Sequence, residues 1–294
     1  MSLFKNYLSL IKFSHTIFAM PFAMIGFVLG YKIQEQKSIN TLSHPHIITL
    51  ALVILCMITA RSAAMAFNRY LDRKFDAKNP RTAIREIPAG LISAKSALAF
   101  TITCCLLFVV CCYFINTKVL MLSPIALIVI LFYSYTKRFT ALCHLVLGLG
   151  LSLAPIGAYL AVTAQFNLLP ILFSFVVLFW VSGFDIIYAL QDEAFDKENK
   201  LHSIPAMLGK EKALNVSRLL HTLAAVIVVH IGFEYNFHLL YKLGSIVFIG
   251  MLGYQQSIVK PTDLSKVNIA FMTANGIASI VFASFVILDL IIPH

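Results

Sequence analysis

Asn68, Asp72 and Asp76, and further along the chain Asp185, Tyr188, Asp192 and Asp196, place carboxylates at helical spacing in two stretches where apolar sequence gives way to polar. At 100° per residue the first set falls within roughly 80° of one helix face, and the second shares an equally narrow stripe. Like charges stacked this way repel. Two such ladders at the edges of hydrophobic spans call for a divalent cation to neutralise them, with a negatively charged substrate on the far side of the metal.

The residues around the first ladder say what that substrate is. Asn68-Arg-Tyr-Leu-Asp72-Arg-Lys-Phe-Asp76 runs on into Lys78, Arg81 and Arg85, so oxygen ligands and fixed cations stand together. Mg²⁺ takes one or two carboxylates plus phosphate oxygens, and Arg grips phosphate with a planar fork, which makes this pairing a diphosphate cradle. A solvated basic loop would account for the Lys and Arg but not for carboxylates four apart. The second ladder is followed by Lys197, Lys200, His202 and Lys210. Asp185 lies inside an apolar run, where a carboxylate is costly unless it faces a polar cavity, so it reads as functional. Arg61 lies seven residues before Asn68, on nearly the same face and about 10 Å deeper. It is either an ion-pair partner of Asp185 or the anchor for an anionic group on a second substrate.

Membrane-spanning helices must position these groups. The chain has 294 residues, 60% of them hydrophobic and 12% charged, and a mean hydropathy of +0.86, which excludes a soluble globule and fits one polytopic helical membrane domain over residues 1–294. Nine apolar stretches are long enough to cross or nearly cross a bilayer, at about 13–33, 47–67, 95–115, 118–136, 141–163, 168–190, 213–233, 237–257 and 268–292. The first follows Lys5 and Lys12 but is too long for a signal-peptide core and is expected to be retained. Of the 23 Lys and Arg, only Lys32, Lys37, Lys118 and Lys242 fall on one side of the alternation. The positive-inside rule then places the N-terminus and both ladders in the cytoplasm and the C-terminus outside. The formal charge of +10 sits in short loops between spans, where topology explains it and nucleic-acid binding is not expected. Cys56, Cys104, Cys105, Cys111, Cys112 and Cys143 lack the spacing of a zinc or redox site and read as packing residues. Gly148, Ser152, Pro155 and Gly157 give the fifth stretch a small-residue surface for a close neighbour. His15, His144, His221 and His230 lie in or beside spans and read as helix contacts rather than metal ligands, with His144 placed near the second substrate.

The two ladders, on the second and sixth of nine helices, together with Arg85-Glu-Ile-Pro88-Ala-Gly90 and Tyr135-Thr-Lys137-Arg138, resemble the motifs of the UbiA superfamily of intramembrane aromatic prenyltransferases over nearly the whole chain. Within it the chain is most similar to 4-hydroxybenzoate polyprenyltransferases and to the prenyltransferases of the futalosine branch of menaquinone synthesis. The resemblance implies an all-α bundle around a central cavity in the cell (inner) membrane, capped by the two polar loops. It implies Mg²⁺ held by Asn68, Asp72, Asp76, Asp192 and Asp196 on a polyprenyl diphosphate, with Arg81, Arg85, Lys137, Arg138 and Lys200 neutralising the oxygens. It further implies an allylic carbocation faced by Tyr188 and a hydroxyaromatic carboxylic acid as acceptor, with Asp185 orienting its hydroxyl or taking its ring proton. His202-Ser-Ile-Pro205 departs from the Lys-Ser-Thr of many 4-hydroxybenzoate enzymes, which leaves 1,4-dihydroxy-6-naphthoate open as the acceptor. A protohaem farnesyltransferase shares the first ladder but not the second loop. A secondary transporter would show two similar halves and broken helices about a midplane site rather than ladders at one face.

Overall fold

Backbone groups in lipid find no water, so apolar stretches must satisfy them internally as helices. The computed structural model describes residues 3–11, 18–37 and 46–293; Lys12, His15 and His294 lie outside the described residues. Its helices are α1 (Leu3–Leu10), α2 (Met20–Lys37), α3 (His46–Asp76), α4 (Ala94–Ile115), α5 (Thr117–Thr136), α6 (Cys143–Thr163), α7 (Leu168–Ala189), α8 (Glu193–Glu198), α9 (Ile204–Leu208), α10 (Lys210–Glu234), α11 (Leu239–Ile258) and α12 (Asn275–Ile291), with a 3₁₀ turn at Leu190–Asp192 and a π-helix at Ile269–Ala274. Among the described residues seven helices are long and apolar enough to cross a membrane, against nine stretches expected. The eighth expected stretch and the described part of the first fold as α11 and α2, which carry more polar residues. Some of these have internal work: Gln255 donates to Asn275 Oδ1 (2.7 Å) and Gln256 to Ser217 Oγ (2.8 Å), tying α11 to the residues behind it.

Local chemistry sets where the helices stop and how near they come. Asn116 separates α4 from α5: its Oδ1 caps α5 by accepting from Val119 N (2.9 Å), while its amide donates to Leu160 O and Ala161 O of α6. Asp289 at the end of α12 accepts from the backbone N–H groups of His238 (2.9 Å) and Tyr241 (3.1 Å), so one buried carboxylate satisfies the start of α11. A Cβ at Gly26 would lie 2.0 Å from Pro155 O, so only glycine lets α2 lie against α6 there. Gly148 likewise admits Ser182 and Leu178 of α7, the close approach its small-residue surface suggested; Gly157 does not share that role, since a Cβ there meets nothing within 4 Å.

The core lies on the α2, α6, α7, α10, α11 and α12 side, around the fully buried Trp180, which is ringed by Phe22, Phe184 and Phe248. Its indole N–H reaches Asn275 Oδ1 at 2.9 Å, so a buried donor is matched within the apolar layer. On the other side α4 and α5 are less buried within the bundle than α6 and α7. The loop 77–93 and the segment from Leu190 to Leu208 close the end of the bundle where both ladders emerge.

Candidate active site

Both ladders line one cavity of about 450 Å³ beneath that cap. Asn68, Asp72 and Asp76 reach it from α3, Asp185 and Tyr188 from α7, and Asp192 and Asp196 from the turn and short helix that follow. Arg61, Arg81, Arg85 and Lys137 line it as well. Opposite charges thus meet across a space that the helices leave unfilled.

Three of these carboxylates have specific cations. Asp192 accepts from Arg81 through both oxygens, Nε at 3.0 Å and an NH2 contact that is closer still, and its Oδ1 also accepts from Asn79 (3.1 Å). Such a planar fork on a carboxylate is the strong form of this pair. Asp76 takes Arg85 NH1 at 2.6 Å, yet its Oδ2 is buried with no partner among the described residues. Asp72 accepts from Asn68 (3.1 Å) and Arg138 (2.8 Å), with Lys137 Nζ 3.7 Å away. Burial pulls the Lys137 ammonium down, but Asp72, Asp196, Asp192 and Asp76 together hold its pKa above the ordinary lysine range. Burial opposes the charge on Arg81 too, and Asp192 more than restores it.

Deeper in the cavity the acid has a different partner. His144 Nδ1 lies 2.7 Å from Asp185 Oδ2, and His144 Nε2 faces the Ile204 backbone N–H at 3.3 Å. A backbone N–H can only donate, so Nε2 accepts, the proton sits on Nδ1, and His144 donates to Asp185. Among the described residues no ion pair joins Arg61 to Asp185; instead Arg61 lines the cavity with its Nε buried and without a partner. Tyr188 is engaged on several sides. Its oxygen accepts from Arg81 NH1 (3.0 Å), that guanidinium lies 5.3 Å from its ring centroid, and the Phe271 ring is 4.3 Å away.

A family model described as the UbiA prenyltransferase family matches residues 17–277. The chain belongs to the UbiA prenyltransferase family. It is a multi-pass membrane prenyltransferase. It is 30% identical over 238 residues to a 4-hydroxybenzoate octaprenyltransferase of Aliivibrio salmonicida, covering 80% of this chain and 82% of that one. Over 246 residues it is 27% identical to the enzyme of the same name from Francisella tularensis subsp. novicida, covering 83% and 85%. Among solved structures, a UbiA homolog from Aeropyrum pernix superposes with a TM-score of 0.81 at 29% identity over 94% of this chain and 98% of that one. A UbiA homolog from Archaeoglobus fulgidus, bound to GPP and Mg²⁺, superposes at 0.76 with 20% identity over 98% and 100%, a likeness of fold.

Three of the cations expected around the diphosphate of this UbiA-family chain stand elsewhere. Lys78 and Lys200 are exposed and do not line the cavity, because the chain turns outward at both. Arg138 approaches from behind, donating to Asp72, to Leu71 O (3.2 Å) and to Ser134 O (2.9 Å), and so fixes a carboxylate rather than lining the space. The metal ligands expected from the ladders do not converge on their own: among the described residues no three His, Cys, Asp or Glu side chains gather closely enough to hold an ion, since Arg and Lys occupy the gaps. Conversely, Asn79 and Phe271 reach the UbiA site without any sequence periodicity to mark them. Asn79 is legible only as a turn residue, its Oδ1 accepting from Arg81 N at 3.0 Å, and that turn delivers both side chains to Asp192. Phe271 belongs to the π-helix, an irregularity that often marks functional sites and that no hydrophobic pattern reveals.

Proposed function

We propose that this protein transfers the polyprenyl group of a polyprenyl diphosphate to a hydroxyaromatic carboxylic acid of the 4-hydroxybenzoate type, a carbon-carbon bond-forming step in quinone biosynthesis. The observation that carries this reading is the arrangement of Asp72, Asp76 and Asp192 opposite Arg81, Arg85 and Lys137 around one cavity at the end of the apolar spans. The relatives named 4-hydroxybenzoate octaprenyltransferase support the acceptor, and the homolog bound to GPP and Mg²⁺ supports the donor.

The donor set fits Mg²⁺: Asn68, Asp72, Asp76, Asp192 and Asp196 offer oxygens, and the buried Asp76 Oδ2 has no partner of its own. Bound there, the metal would supply charge neutralisation that makes diphosphate a better leaving group. Arg81, Arg85 and Lys137 act in the same sense, passing from carboxylate to phosphate oxygens as the substrate enters. The bond between C1 of the donor and the diphosphate oxygen breaks, and the electron pair leaves with diphosphate. Tyr188 then turns its ring face to the allylic cation, in a space that excludes water. A ring carbon of the acceptor bonds to C1, and the proton on that carbon passes to Asp185, whose carboxylate His144 holds in place. The acceptor's own carboxylate meets Arg61. Ile204, which clamps His144, belongs to the segment that departs from the 4-hydroxybenzoate pattern, so the naphthoate belongs in the same test.

Purified protein in lipid is expected to release diphosphate only with Mg²⁺, polyprenyl diphosphate and one of the two acids all present, and chelation should lower the rate at least about a hundredfold, the scale of losing a major electrostatic group. Equal release with and without chelator would remove the metal; release with neither acid would remove the acceptor class.

The basic residues support a cytoplasmic N-terminus and cap and an external C-terminus in the cell (inner) membrane. A reporter inserted beside Lys78 is expected to read cytoplasmic and one joined after the last residue to read external. Finding both on one side would overturn that orientation.

A further inference from the structure

Asn275 has no part in the chemistry above, yet it is fully buried in the apolar layer, where an amide is costly unless its groups are matched. Its Oδ1 accepts from Trp180 Nε1 (2.9 Å) and Gln255 Nε2 (2.7 Å), and its Nδ2 donates to Phe271 O (2.9 Å). The partners fix the orientation of the amide, since an indole N–H can only donate and a carbonyl can only accept.

The bond to Phe271 replaces one that the π-helix removes. In an α-helix the Phe271 carbonyl would receive the backbone N–H four residues on, which is that of Asn275 itself. At the end of the π-helix that N–H goes to Met272 O instead. The side-chain amide of the same residue takes over at the Phe271 carbonyl and latches the widened turn. Trp180 and Gln255 grip the latch from α7 and α11, so the turn is tied to two neighbouring helices.

The latched turn presents Phe271 to the active cavity. Its ring lines that cavity, 4.3 Å from the Tyr188 ring centroid and edge-on to Phe184 at 5.4 Å. Trp180, which anchors the latch, and Tyr188, which Phe271 packs against, stand on the same helix about 12 Å apart along its axis. A shift of one residue in helical register turns a side chain by about 100°, so closing the π turn to an ordinary α turn would swing Phe271 away from Tyr188.

We propose, on the basis of the prenyl-transfer reading, that Asn275 is a positioning residue: through Phe271 it sets the Tyr188 ring against the allylic cation and so biases that cation toward the acceptor and away from water. Once diphosphate has left, two captures compete. A ring carbon of the acceptor bonds to C1 and gives up its proton, or a water oxygen bonds to C1 and gives up its proton, leaving polyprenol. A ring pair held in register fills the space that water would need.

The test measures diphosphate, prenylated acceptor and polyprenol together. Asn275→Leu should lower acceptor prenylation at least about tenfold and raise the polyprenol share of released diphosphate at least about threefold, while the donor KM stays within about twofold. Phe271→Leu keeps the carbonyl that Asn275 bonds and should give the same split of products. The double variant should be no worse than the heavier single one, because both act through one ring. Gln256→Leu removes buried bonds of the same kind between α11 and α10 without touching Asn275; it should lose stability and keep the product split. Para-fluorophenylalanine placed at position 271 should give a fluorine resonance that moves in Asn275→Leu. Unchanged products in Phe271→Leu, effects that multiply in the double variant, an equal shift in Gln256→Leu, or an unmoved resonance each overturn the proposal. The Phe271→Leu measurement stands even where Asn275→Leu fails to insert. Absence of transfer by the unaltered protein, with the resonance still answering to Asn275→Leu, would strike instead at the prenyl-transfer reading while leaving the latch in place.

Discussion

Asp192→Asn is expected to lower turnover by about a hundred- to a thousandfold while the protein still inserts and folds. Removing one preorganised electrostatic group at a reacting centre costs about 2.7 to 4 kcal/mol, which is that range. Asp192 is where the two capping segments meet: Arg81 and Asn79 of the first loop both donate to it, across 111 and 113 residues of chain. The asparagine keeps one acceptor oxygen but loses the charge, so the fork of Arg81 is left half matched and the proposed Mg²⁺ site would lose an anionic ligand. Because the site is a polar cavity and not the packed core, thermal stability in detergent should fall much less than activity does. Asp72→Asn should behave alike, since Arg138 and Lys137 converge on that carboxylate. Lys78→Ala and Lys200→Ala supply the contrast, since both side chains are exposed and outside the cavity; each should change turnover by less than about twofold, in line with surface substitutions. Steady-state diphosphate release measures all four. Near-normal turnover in Asp192→Asn would mean that the cavity is not the diphosphate site.

Arg61→Ala is expected to raise the acceptor KM at least about tenfold and leave the polyprenyl diphosphate KM nearly unchanged. A charge-assisted hydrogen bond contributes about 1.5 to 3 kcal/mol, a factor of roughly 10 to 150. A carboxylate entering a low-dielectric cavity needs such a cation, and Arg61 is the deepest one there, with its Nε unpartnered. The hydrogen bond that holds Asp185 comes from His144 and not from Arg61. Arg85→Ala should show the converse pattern, since Arg85 sits at the cap on Asp76. Separate titrations of acceptor and donor distinguish the two. If Arg61→Ala weakens both substrates equally or unfolds the protein, its role is structural. The acceptor anchor would then be sought at Lys137 before Arg138, which Asp72, Ser134 and Leu71 already hold.

Residues that act through local periodicity were legible in the chain alone. Asn68, Asp72 and Asp76 share a face because an α-helix turns 100° per residue wherever it sits, and the apolar stretches become helices because lipid leaves the backbone no other partner. The family resemblance followed from those same spacings. Partner choice was not legible, because it depends on which loops close over which helix ends. The sequence left Arg61 open between Asp185 and a substrate, and only the packing of α6 against α7 brought His144 to Asp185 instead. It grouped Lys78 and Lys200 with Arg81 and Arg85, since charge and proximity in sequence do not say which way a loop side chain points. It treated Gly157 like Gly148, as a packing glycine, whereas one meets a neighbouring helix and the other faces a void. Helical spacing is a property of the backbone and can be read one segment at a time; an ion pair, a ring contact or a cavity exists only between segments, and tertiary packing decides it.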